Sequence, residues 1–175
     1  MIATIAELAW RSHQIVVGTV VERLPPVWGD VLNPEQSNYR PIYTDYVVQV
    51  EQRLRGKPGA SVRVRQLGGT IDGCTQKNGN EVPMTVGDRV LLFLTAPVPD
   101  ADAPTYFITG VEQGFWSVRD DGTVDPLRRP LYDQHAGRTV AEIRRAVAEA
   151  LSSKPPKAMS VPAVSLADAP LALAQ

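Results

Sequence analysis

The sequence predicts one mostly-β domain closed by a C-terminal helix. Three observations predict it. Segments of alternating or continuous apolar character recur between turn residues from Gln14 to Val124. Capping boxes stand at Thr4–Glu7 and Thr139–Glu142, one near each end of that region. A change to Ser, Lys, Pro and Ala after Ser153 marks where the domain stops.

The elements follow in order. Thr4 as N-cap with Glu7 three residues on predicts a short helix to about Ser12, with Ile5, Leu8 and Ala9 as its apolar stripe. Gln14 to Leu24 holds Ile15, Val16, Val17, Val20 and Val21, apolar on both faces, as a central strand requires. Gly18 in its middle marks a bend or a close approach of another backbone. Pro25 to Pro41 reads as a loop carrying Trp28 and Tyr39, long enough to be functional or mobile.

Ile42 to Leu54 alternates cleanly. Tyr46, Val48 and Val50 point one way, and Asp45, Gln49, Glu51 and Arg53 the other. Gly56-Lys57-Pro58-Gly59 is a turn, and Ser61 to Leu67 returns as the second arm of a hairpin. Gly68 to Val82 reads as a polar, glycine-rich loop. Arg89 to Leu94 is again apolar on both faces, with Leu92 expected in the core. Tyr106–Thr109 and Phe115–Val118 are short strands, and Asp120-Asp121-Gly122 reads as a type I′ turn. A second helix runs from Thr139 to about Ser152 with Val140, Ile143, Val147 and Leu151 on one face. The domain therefore spans 1–152, and 153–175 is expected to be a disordered Pro/Ala-rich tail.

The order Ile15-Val16-Val17-Gly18-Thr19-Val20-Val21, Tyr43 to Glu51, Leu54-Arg55-Gly56, Val62 to Gly69 and Val86 to Leu94 resembles bacterial domains of unassigned function. Those in turn look like the netrin-like domain of tissue inhibitors of metalloproteinases. The resemblance covers roughly residues 5 to 120. It implies a five-stranded Greek-key barrel of the OB type with terminal helices, and an extracytoplasmic setting. The inhibitors of that family chelate zinc through an N-terminal cysteine and are braced by disulfides. Here Cys74 is the single cysteine, so the resemblance carries over the fold and not the inhibitory residues.

Composition bounds the function. A net charge of −1 gives no general pull toward nucleic acid or anionic membranes. No apolar run approaches a membrane span, and Met1 to Leu8 lacks the pattern of a signal peptide. One cysteine cannot form an internal disulfide or a cysteine zinc site. His13 and His135 stand without a serine–acid pairing, Gly68-Gly69-Thr70 lacks the lysine of a phosphate-binding loop, and Cys74 has only Lys77 near it as a cation. These readings give no catalytic residue, no metal and no cofactor.

The remaining feature is electrostatic. Arg53, Arg55, Lys57, Arg63 and Arg65 fall within the predicted hairpin, with no acid between Gln52 and Ile71. If the strands pair, strand parity makes them a basic stripe, with Gly68, Gly69 and Cys74 in the adjoining loop. That points to a non-enzymatic interaction module whose partner is another protein or an anionic polymer. A peptidase-associated inhibitor or regulatory domain is the alternative. A nucleic-acid-binding barrel ranks lower, because no aromatic interleaves these cations.

Overall fold

In the computed structural model, which describes residue 2 and residues 4–30, 38–98 and 101–156, the elements run as follows. Helix α1 is Ile5–Arg11 and strand β1 is Gln14–Arg23. A short β2 is Val27–Trp28. The long β3 is Ile42–Arg55, and β4 is Ser61–Leu67. A small hairpin comprises β5, Gly69–Ile71, and β6, Cys74–Gln76. Then come β7, Arg89–Pro97, and β8, Thr105–Ile108. A 3-10 turn, Val111–Gly114, leads into β9, Phe115–Val118, and β10, Val124–Pro126. Helices α2, Leu131–His135, and α3, Val140–Ser152, complete the chain.

Five strands close a barrel in the order β1–β3–β4–β8–β7 and back to β1. The β4–β8 pair is parallel, with Arg63 opposite Thr105, and the other pairs are antiparallel. This is the five-stranded OB-like arrangement with Greek-key connections. Closure leaves β1 paired along both edges, to β3 and to β7. Its inner face fills the barrel and its outer face lies under the helices, and for that reason its apolar residues run on both faces.

Gly18 supplies the close approach expected of it. It sits between register shifts on β1, and a Cβ there would lie 2.2 Å from the Gln49 carbonyl oxygen. The two short strands expected at 106–109 and 115–118 form as β8 and β9, within one residue of those bounds. The 3-10 turn lies between them, with β8 paired to the C-terminal half of β7 and β9 to the N-terminal half.

The core has two compartments. Val16, Val20, Val48, Val62, Val64, Val90, Leu92, Leu94 and Phe115 fill the barrel. Val82 and Met84 join them, so the segment after β6 closes one mouth of the barrel with apolar side chains. Ile15, Val17, Leu91, Phe93 and Trp116 face outward and are covered by Leu8, Leu131, Ile143 and Val147 from the helices. Leu92 and Ile143 are thus both buried, one inside the barrel and one under the helix.

Both capping boxes form. The Thr4 side chain accepts from Glu7 N–H and the Thr139 side chain from Glu142 N–H, each with the reciprocal glutamate contact. Trp10 Nε1 donates to the Ala150 carbonyl at 3.0 Å, pinning α1 to α3.

Three expectations need correction, and one further element appears. The span read as the loop 25–41 contains β2, because Val27 and Trp28 pair with Tyr43 and Ile42. The span read as the loop 68–82 contains the β5–β6 hairpin, whose Asp72 and Gly73 both take positive φ, 50° and 79°. Asp–Gly favours that type I′ geometry. At 120–122 Gly122 alone is left-handed, and its N–H donates to the Arg119 carbonyl. That is a three-residue connection and not a type I′ turn. Helix α2 was not anticipated; its five residues are too few to show a period. The tail from residue 157 onward lies outside the described residues.

Candidate binding face and barrel-mouth cleft

The basic stripe does not form, and the register explains why. The N-terminal half of β3 pairs with β4, from Tyr43 opposite Leu67 to Gln49 opposite Ser61. β4 therefore ends before the C-terminal half of β3 begins. Arg63 stands opposite Val47, while Arg53 lies six residues further along β3, beside Val16 of β1. At strand rise that is roughly 20 Å.

The predicted residues accordingly part into three groups. Arg55 belongs to the helix side, where its guanidinium lies 5.9 Å from the Trp10 ring centroid and donates to the Ala9 carbonyl. Arg53 and Lys57 are exposed at that end of the barrel. Arg63 and Arg65 occupy the outer face of β4. Gly68 and Gly69 line a cleft at the barrel mouth. Cys74 is exposed on the β5–β6 hairpin and does not pack on the barrel.

The outer face of β3, β4 and β8 holds an arrangement not apparent from the sequence. Register places Asp45 opposite Arg65. The guanidinium meets the carboxylate at both ends, Nε to Oδ1 and Nη2 to Oδ2, each at 2.8 Å. Asp45 is 5% exposed, so the pair is largely withdrawn from water. Hydrogen bonding to Asp45 raises the Arg65 pKa further, against the opposing effect of burial.

The same guanidinium lies 4.9 Å from the Tyr43 ring centroid, and Tyr43 meets Phe107 edge-on at 6.0 Å. Burial raises the Tyr43 phenol above its ordinary value, offset in part by Arg65. Alongside, Arg63 pairs with Asp102 at 2.5 Å. Aromatics do therefore accompany these cations, but they come from β3 and β8, where a count along the hairpin's charged residues overlooks them. At the rim Arg40 lies 5.8 Å from the exposed Trp28 ring.

The cleft holds about 180 Å³ and is lined by Arg23, Thr44, Tyr46, Gly68, Lys77 and Glu81, among others. Its floor needs glycine. Gly68 has φ +114°, and a Cβ there would stand 2.1 Å from Glu81 Oε1. The Thr44 hydroxyl donates to the Gly68 carbonyl at 2.7 Å, holding this backbone against β3.

The histidines are placed apart. His13 is exposed after α1. His135 is buried, its ring stacked on Trp116 at 5.5 Å and its Nδ1 3.1 Å from Arg138 Nη1. Burial, and secondarily Arg138, lowers its pKa below the ordinary value. Among the described residues no group of three or more His, Cys, Asp or Glu could hold a metal ion, and no helix is long and apolar enough to cross a membrane.

Fold and face together define a mostly-β OB-like barrel with a pre-ordered arginine–aromatic surface on one side. No family model matches the chain, and no curated protein matches it.

Proposed function

We propose that this is a non-enzymatic binding module whose partner is another protein, docked on the outer face of β3, β4 and β8. One observation carries the reading. Arg65 is gripped at both ends by Asp45 and stacked on Tyr43, which Phe107 braces in turn. Tyr and Arg anchors dominate the energetics of protein interfaces. Ordering them in advance reduces the entropy lost on association.

The choice between a protein and an anionic polymer turns on how the cations are committed. Asp45 neutralises Arg65 and Asp102 neutralises Arg63. These two guanidiniums therefore offer planar stacking and hydrogen-bonding groups without surplus positive charge. A polyanion gains most from unpaired cations that release its counterions, and the two guanidiniums here are already paired. A netrin-like regulator of another protein is one form that such a module takes on the resemblance above.

The test is retention of a protein from native extract on immobilised chain. The parent is compared with Val47→Lys combined with Arg63→Glu on the face, and with Arg53→Ser combined with Lys57→Ser at the far end. A protein held by the parent and the far-end variant but lost from the face variant supports the reading. Equal retention by all three overturns it, as does retention that nuclease treatment abolishes.

A further inference from the structure

We propose that Asn78 is a site of spontaneous covalent modification in the folded protein: deamidation through a succinimide formed with the Gly79 backbone nitrogen. The inference is independent of the binding face above. It rests on the turn that follows β6.

Residues 78–81 form a closed turn. Asn78 N–H donates to Glu81 Oε1 at 3.2 Å, and Glu81 N–H donates to the Asn78 carbonyl at 3.1 Å. Asn80 N–H donates to Asn78 Oδ1 at 3.3 Å, which turns the Asn78 side chain back over the Gly79–Asn80 backbone. That bond does two things. It keeps the side-chain amide on the Gly79–Asn80 side of the turn. It also places a donor on the oxygen that becomes negative when the carbonyl carbon is attacked.

The nucleophile is unobstructed. Gly79 is exposed, and nothing lies within 4 Å of where a Cβ would stand. Among the described residues no acceptor engages the Gly79 N–H. A glycine at this position removes the side chain that would otherwise shield its nitrogen.

The step balances with water alone. Gly79 N loses its proton to solvent base and attacks Asn78 Cγ, forming a five-membered imide. The Cγ–Nδ2 bond breaks, and the nitrogen leaves as ammonia with a proton returned from solvent. Water then opens the imide at either carbonyl. One opening yields aspartate, and the other yields isoaspartate with one extra methylene in the main chain. No oxidant or reductant takes part.

The position gives the change a consequence. Residue 78 lies between Lys77 and Glu81, both of which line the barrel-mouth cleft. Either product adds a carboxylate there. Isoaspartate also lengthens the segment that leads to Val82 and Met84, the side chains that close the barrel mouth. The cleft thereby shifts toward negative charge as the protein ages.

The experiment ages the folded protein in warm, mildly alkaline buffer and maps asparagines by peptide mass spectrometry, with isoaspartyl methyltransferase labelling as a second readout. Conversion is expected at Asn78 ahead of Asn38 and Asn80. Labelling at this site is lost with Asn78→Gln and slowed by Gly79→Ala. A synthetic peptide spanning residues 76–82 serves as the sequence-only control. If that peptide converts while Asn78 in the folded chain stays intact, or if Asn80 converts at the same pace as Asn78, the proposal fails.

Discussion

The two outer sides of this barrel are built on opposite principles. On one side the outer faces of β1, β7 and β9 carry Ile15, Val17, Leu91, Phe93 and Trp116, all sealed beneath the helices. On the other, β3 and β4 present Asp45, Arg63 and Arg65, side chains ordered by ion pairs and by a ring contact. The first side is held by area removed from water, which is non-directional and large. The second is held by geometry, which contributes less to stability but orders a set of polar and aromatic groups. Helices cover the first side, and among the described residues none covers the second.

Truncating the helix-covered side should have the largest effect. Trp116 is fully buried, packs on Phe93 at 5.2 Å and on His135 at 5.5 Å, and donates its Nε1 to the Gln113 carbonyl. Trp116→Ala should cost about 3–5 kcal/mol. Thermal or urea unfolding measures it, and a loss well below that range would mean the second core compartment is not an integral part of the domain.

Breaking the opposite side should cost less while removing its order. Asp45→Ala leaves the largely buried Arg65 side chain without its carboxylate, at about 1–3 kcal/mol. The same unfolding measurement on this variant sharpens the comparison. If Asp45→Ala destabilises as much as Trp116→Ala, the polar face is part of what holds the barrel together, and the division drawn above is wrong.

The smallest effect concerns a single proton. His135 is buried as the neutral imidazole, with its folded pKa depressed below the ordinary 6.5 by burial and by Arg138. The unfolded chain therefore binds this proton more readily than the folded one. Stability contributed by neutral His135 is full above the ordinary value and falls as pH drops from there toward the lower folded pKa. His135→Phe, which keeps a ring against Trp116, should flatten the decline in melting temperature between neutral and mildly acidic pH. Parallel slopes for parent and variant would show that His135 does not titrate differently on folding.

Much of the architecture was legible in the sequence because its signals are local. Two-sided apolar runs marked β1 and β7, strict alternation marked β3 and β4, and Thr–x–x–Glu marked both capped helices. The short elements β2, β5, β6 and α2 escaped because two to five residues are too few to show a period. The candidate site was legible only in part. Arg63 and Arg65 were rightly placed on one face of β4, but grouping them with Arg53 and Arg55 assumed that the two arms of the hairpin pair along their whole length.

What the sequence determined by itself is therefore the content of each strand and helix, since side-chain alternation and helix capping act between neighbours a few residues apart. What only the tertiary structure decided is which stretch of β3 meets which partner. β3 has 14 residues and β4 has seven, so one half of β3 pairs with β4 while its other half runs on beside β1 alone. That register separates the arginines at the two ends of β3, sets Asp45 opposite Arg65, and brings Phe107 of β8 against Tyr43. These are contacts between residues 20 to 64 positions apart, and closing the barrel is the physical event that brings them together.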